Sequence, residues 1–273
     1  MGVERIVAAF KKPQKILAVY VCAGDPDLET TSHLIPALSA AGADIIEIGV
    51  PFSDPIADGP TIQAASQRAL SSGTNMRKVL ELLEEVRSRD ENLPLLLMTY
   101  YNPVFRYGIE EFAAQLQEKG GDGLIVPDLP VEEAAPLRSA LHERGLTLIP
   151  LVAPTTPEVR LRTILEKAQG FVYCVSLTGV TGARSRLPDY LRDYLQMVRK
   201  TTDLPLLVGF GVSTPDQAAQ LAPLADGVVV GSALIEAFRR SGLDGAVRLV
   251  QGLRAGLDLD SDGHITSGNT IRG

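Results

Sequence analysis

The chain has 273 residues, 45% of them hydrophobic and 22% charged, with 25 Gly, 18 Pro, two Cys and no Trp. This ordinary globular composition excludes disordered, collagenous and disulfide-rich classes. A formal charge of −7 with no run of four basic residues argues against nucleic acid as a partner, and no apolar stretch approaches the roughly 20 residues of a membrane helix.

Taken in chain order, the sequence opens with a short apolar run at 6–10, too short for a signal-peptide core and expected to form an N-terminal helix. Short β-rich runs bounded by turn residues then predict strands over 16–24, 43–51, 93–101, 121–129, 146–154, 170–177, 204–212 and 225–233. Amphipathic segments between them predict helices over 29–41, 75–89, 109–119, 131–144, 157–168, 187–200 and 215–221. Ser213-Thr214-Pro215 is a helix start, and Gly42, Gly120, Gly145 and Gly170 stand where helices stop. Strands repeatedly arrive as Gly-Ala-Asp, Gly-Asp-Gly or Ala-Asp-Gly. Eight such units in about 250 residues predict an α/β fold, a single-domain (β/α)8 TIM barrel with an extra N-terminal helix. The barrel domain is expected over 1–257, followed by a polar tail over 258–273. A doubly wound sheet is the rival architecture.

In such a barrel the chemistry sits on the loops after the strand C-termini, often with phosphate held after strands seven and eight. Here those points are rich in glycine: 178–184 after strand six, Gly209-Phe-Gly211 after strand seven, and Gly231-Ser232 where strand eight runs into a helix. Backbone N–H groups at glycines and helix N-termini suit an anion, so a phosphate-bearing substrate is expected. Alternation along 43–51 puts Ile46, Ile48 and Val50 toward the helices and Ile45, Glu47 and Gly49 into the barrel. A carboxyl there is desolvated, which raises its pKa toward the range useful for proton transfer; a purely structural Glu with a backbone or Arg partner is the alternative. The loop after it delivers Asp54 and Asp58 over the mouth, where either could also cap the following helix near Thr61.

The run Ile46-Glu-Ile-Gly-Val-Pro-Phe-Ser-Asp-Pro-Ile-Ala-Asp-Gly59 closely resembles the signature of the tryptophan synthase α subunit. The resemblance extends, in order, through Ala23-Gly-Asp-Pro26, Tyr101-Asn-Pro103, Pro127-Asp-Leu-Pro130, Gly179-Val-Thr-Gly182, Gly209-Phe-Gly211 and Gly231-Ser232. It implies retro-aldol cleavage of indole-3-glycerol phosphate to indole and glyceraldehyde 3-phosphate in tryptophan biosynthesis. By the same resemblance Glu47, Asp58 and Tyr173 are catalytic, and Gly182, Gly211, Gly231 and Ser232 hold the phosphate. Tyr20, Met98, Tyr100, Ile125, Thr181 and Phe210 are expected to line the indole. Tyr20 and Ile125 stand where some relatives carry Phe and Leu.

The resemblance further implies a β-subunit partner carrying pyridoxal phosphate in an α2β2 complex, with no cofactor in this chain. The loops 52–60 and 101–108 and the turn at Pro130 crowd one rim with apolar residues and Pro, and Asp54, Pro55, Asn102, Phe105 and Pro130 are expected to dock that partner. A stand-alone lyase releasing free indole shares every catalytic residue and is the alternative. A Schiff-base aldolase needs a Lys at a strand top, where this sequence places none, and the three His form no metal cluster, so no metal is expected. Two widely separated Cys in apolar runs fit buried free thiols and a cytoplasmic protein. Asp258-Leu-Asp-Ser-Asp-Gly263 matches the first half of a calcium loop, but position 12 is Asn269, so a solvated acidic terminus is expected.

Overall fold

The computed structural model describes residues 2–175, 188–209 and 211–259. In chain order the elements are α1 (Gly2–Ala9), β1 (Ile16–Cys22), α2 (Leu28–Ala40), β2 (Ile45–Gly49), α3 (Pro60–Ser71), α4 (Met76–Arg89) and β3 (Leu95–Met98). Then come α5 (Tyr101–Tyr107), α6 (Ile109–Glu118), β4 (Gly123–Ile125), α7 (Ala135–His142), β5 (Thr147–Leu148), β6 (Leu151–Val152) and α8 (Glu158–Leu165). The last are β7 (Val172–Val175), α9 (Tyr190–Thr201), β8 (Leu206–Gly209), α10 (Pro215–Leu221), β9 (Gly227–Val230) and α11 (Ser232–Leu257).

All strand pairs are parallel, and the order is β5-β4-β3-β2-β1-β9-β8-β7-β6. Its two ends are one stretch of chain. The single strand expected over 146–154 is split at Ile149-Pro150, because Pro150 has no N–H for the ladder. Up to that point the stretch bonds β4, with Ile149 N–H donating to Leu124 O at 2.9 Å. Beyond it the stretch bonds β7, with Tyr173 N–H donating to Pro150 O at 2.9 Å. The sheet therefore closes through this stretch into the expected barrel. One expected loop, 101–108, is mostly helix: Pro103 falls in the first turn of α5, where its missing N–H costs nothing, and Gly108 ends it at φ 95°.

The recurring Asp before a strand has a definite job. Asp44, Asp122 and Asp226 each give their backbone N–H to the neighbouring strand, at Leu17, Leu95 and Leu206. Each takes that same residue's N–H on its carboxylate, at 3.0, 2.8 and 2.8 Å. An arginine closes each unit: Arg254, Arg87 and Arg199 respectively. The motif ties adjacent strands at the N-terminal end of the barrel, opposite the expected site. The caps behave as the sequence implies. Thr214 and Gln217 form a reciprocal capping box on α10, and Gly42, Gly120, Gly145 and Gly170 all take positive φ.

Two apolar layers result. Ile46, Ile48 and Val50 pack outward against the helices, whereas Ile45, Leu96, Ile125, Ile149, Leu207 and Val229 fill the barrel. Helix α1 closes the bottom through Ile6 and Ala9, with Phe10 against Phe171 at 5.9 Å. Burying side chains of this size contributes roughly 1.5–3 kcal/mol each, so the lower barrel is a rigid base for whatever stands at its top.

Candidate active site

β2 carries Glu47 on the barrel-facing side, between Ile45 below and Gly49 above, as alternation predicts. Glu47 is 0% exposed, and neither carboxylate oxygen has a hydrogen-bond partner among the described residues. Burial alone pushes its pKa from 4.5 up to about 8. The structural alternative, a Glu held by a backbone N–H or an Arg, has no support among the described residues. An unpartnered buried carboxyl is costly, and such groups gather where chemistry needs them.

Asp58 sits at the end of the loop that follows β2. Its N–H donates to Pro55 O at 3.1 Å, and Gln63 of α3 donates to its backbone carbonyl at 2.8 Å. Gly59, not Asp58, occupies the N-cap of α3, so the carboxylate is not spent on capping the helix. Burial raises the Asp58 pKa from 3.8 to about 6, opposed by the Tyr100 hydroxyl, whose proton favours the charged form. The two carboxyls are thus set for opposite states near neutral pH: Glu47 protonated, Asp58 charged.

Tyrosines surround the pair. Tyr173 on β7 is held neutral by burial and by the nearby carboxyls of Glu47 and Asp58. Its ring occupies the space over Gly209, where a Cβ would come within 2.7 Å of Cε1. Tyr20, paired with Glu47 in the β1–β2 register, lies across Gly49, where a Cβ would fall 2.0 Å from its hydroxyl. Glycine at 49 is what admits that ring.

Asp58, Met98, Tyr173, Gly211 and Ser232 share the wall of one cavity of about 700 Å³, which continues outward along β6 toward α8. Tyr20, Tyr100 and Ile125 are buried and not on that wall; Ile125 packs in the barrel layer with Ile45 and Leu96. Gly231 precedes α11, and Ser232 opens its first turn, where leading N–H groups have no intrahelical acceptor. With Gly211 at φ 68° beside them, this corner suits an anion. Thr181, Gly182 and Phe210 lie outside the described residues, as does the tail from 260.

On the rim, Asp54, Asn102 and Pro130 are exposed and Pro55 half-buried. Phe105 is 63% exposed, and Ile56, which the sequence reading had not singled out, is 83% exposed. A large aliphatic side chain between Pro55 and Ala57, in a loop of turn formers, was the available signal. Among the described residues no group of three or more His, Cys, Asp or Glu could hold a metal, and no helix is long and apolar enough to cross a membrane.

Comparison with known proteins agrees with this geometry. A family model described as "Tryptophan synthase alpha chain" matches residues 7–254. The tryptophan synthase alpha chain of Geobacter sulfurreducens is 51% identical over 227 residues, covering 83% of this chain and 86% of the relative. That of Chloroflexus aggregans is 53% identical over 224 residues, covering 82% and 84%. The crystal structure of tryptophan synthase subunit alpha from Legionella pneumophila superposes with a TM-score of 0.86 at 40% identity, covering 93% of this chain and 98% of that one. A Mycobacterium tuberculosis tryptophan synthase structure gives 0.85 at 41%, covering 94% and 97%. With a fully buried carboxyl inside the barrel wall and a family match over residues 7–254, this chain belongs to the tryptophan synthase alpha chain family.

Proposed function

We propose that this chain is the carbon–carbon lyase of tryptophan biosynthesis that cleaves indole-3-glycerol phosphate, with Glu47 as its proton carrier and Asp58 as its electrostatic partner. The observation that carries the residue assignment is Glu47: fully buried, without a hydrogen-bond partner among the described residues, and protonated near neutral pH. Cleavage needs a proton on indole C3 and removal of a proton from the adjacent side-chain hydroxyl. Neutral Glu47 gives its proton to C3; the resulting carboxylate takes the hydroxyl proton as the C–C bond breaks, and the starting state returns. Protonating C3 puts positive charge on the ring. The charged Asp58 offsets it near N1–H, in a site that burial keeps at low dielectric. Tyr173 walls the reacting centre beside both carboxyls, and Gly182, Gly211, Gly231 and Ser232 hold the phosphate.

Tyr20, Met98, Tyr100, Ile125, Thr181 and Phe210 are the expected surround of the indole in this reading; of these, Met98 is on the cavity wall, and Tyr20, Tyr100 and Ile125 are buried off it. The exposed apolar side chains of Ile56 and Phe105, beside Asp54, Pro55, Asn102 and Pro130, support docking of a β subunit over the mouth. They favour the subunit reading over a stand-alone lyase. The partner is expected to carry pyridoxal phosphate within a cytoplasmic α2β2 assembly, this chain contributing its barrel over 1–257 and no cofactor. The test is indole release from indole-3-glycerol phosphate by the purified chain, with and without a β subunit. Release accelerated by the partner is expected. No release in either case overturns the reading.

A further inference from the structure

The loop that presents Asp58 has few ties of its own. Ile56 N–H donates to Asp54 O at 2.9 Å and Asp58 N–H to Pro55 O at 3.1 Å, both within the loop, and Gln63 of α3 reaches the Asp58 carbonyl. Among the described residues, the one side chain from outside the loop and α3 that hydrogen-bonds it is Tyr100, whose hydroxyl accepts from Ala57 N–H at 2.9 Å. The same ring lies against Phe52 at the loop's start, centroids 5.3 Å apart. Tyr100 therefore touches the loop at both ends.

It does so from firm ground. Tyr100 is 5% exposed and follows Thr99, whose N–H donates to Ile125 O at 3.0 Å just beyond β3; the next N–H, of Tyr101, is held by the Asp128 carboxylate at 2.9 Å. Because the phenol oxygen accepts from Ala57, its own proton is free to face the adjacent Asp58 carboxyl. A side chain fixed in this way determines where a loop-borne carboxylate stands.

We propose that Tyr100 is a positioning residue for Asp58, clasping both ends of the 52–58 loop so that the carboxylate is delivered to the barrel mouth in its working place. This rests on the reading of Asp58 given above. Among the described residues the titratable groups around Asp58, besides Tyr100, are Tyr20 and Cys22 from β1, Tyr173 from β7, and Glu47 of β2, which shares Tyr20 and Tyr173 as neighbours. On the acid side all of them are neutral: burial lifts the three phenols above their ordinary value, the Cys22 thiol to about 12 and Glu47 to about 8. The acid side of the pH profile therefore reports Asp58 and what surrounds it.

The experiment compares kcat, KM and the pH profile of kcat/KM for wild type, Tyr100→Phe and Asp58→Asn, with urea unfolding as a control for folding. Tyr100→Phe keeps the ring on Phe52 and removes only the hydroxyl. Its acid limb is expected to move up by about half a pH unit or more, because the group favouring charged Asp58 is gone. Its kcat falls about tenfold or more while KM stays within about threefold, the signature of a displaced group that acts in the transition state. An unmoved limb and unchanged kcat in Tyr100→Phe, with turnover lost in Asp58→Asn, overturn the proposal and leave the reading of Asp58 standing. Turnover retained in Asp58→Asn overturns that reading, and the proposal with it.

Discussion

Replacing Glu47 with Gln is expected to stabilise the protein, and to do so more strongly as the pH rises. The side chain is 0% exposed and burial lifts its pKa from 4.5 in the unfolded chain to about 8 in the folded one. A carboxyl whose folded pKa is raised favours the folded state below its unfolded value, and that contribution is lost as pH climbs through the folded value. At ~1.4 kcal/mol for each tenfold step, a fully ionised Glu47 penalises folding by roughly 5 kcal/mol relative to the protonated form. Between about pH 5 and pH 8 the wild type therefore loses roughly 3–4 kcal/mol that Glu47→Gln, which cannot ionise, does not lose. Asp58 titrates in both proteins, so its contribution largely cancels in the difference. The assay is equilibrium urea unfolding of both proteins at a series of pH values, plotted as the stability difference. A difference that stays flat across the range refutes the reasoning, since the carboxyl would then be ionised without penalty or protonated in both states.

The other expectations concern the two ends of the barrel. The kcat/KM profile of the wild type should be bell-shaped, falling below about pH 6 as Asp58 takes up a proton and above about pH 8 as Glu47 loses its own, and steady-state indole release across pH checks it. Gly49→Ala drives a Cβ into the Tyr20 ring, at 2.0 Å from its hydroxyl, and should destabilise by about 1–3 kcal/mol and lower turnover, measured by unfolding and by indole release. Asp122→Ala leaves Arg5, Arg87 and the Leu95 N–H without their carboxylate at the opposite end of the barrel. It should cost about 3–5 kcal/mol in unfolding free energy, while the folded fraction keeps its KM.

Much of this was legible in the chain, for physical reasons that differ by residue. Glu47 could be read because strand alternation fixes its face, and a lone carboxylate among Ile45, Ile46 and Ile48 breaks the apolar pattern of a barrel strand. The Asp of the strand-leading repeats was visible as a repeat, but its pairing with Leu17, Leu95 or Leu206 depends on which strand lies beside it. Helix α5 was hidden because Tyr-Asn-Pro reads as a turn, although Pro in a first helical turn is equally acceptable. The break at Pro150 appears only once strands on both sides demand hydrogen bonds from one stretch. Tyr100 was expected merely to line a pocket. Its hold on Ala57 and Phe52 comes from the way the loop after β2 folds back over β3, which no local pattern encodes.

The central claim is that a single buried carboxyl gives a proton to C3 and then takes one from the side-chain hydroxyl. Turnover of indole-3-glycerol phosphate by Glu47→Gln, set beside direct measurement of substrate binding, tests it most directly. Gln matches the size of Glu47 and leaves Gly211, Gly231 and Ser232 untouched, but it cannot shuttle a proton. The account predicts that turnover falls by about 10² to 10⁴ or more while substrate still binds. Near-normal turnover by a folded Glu47→Gln protein would contradict it.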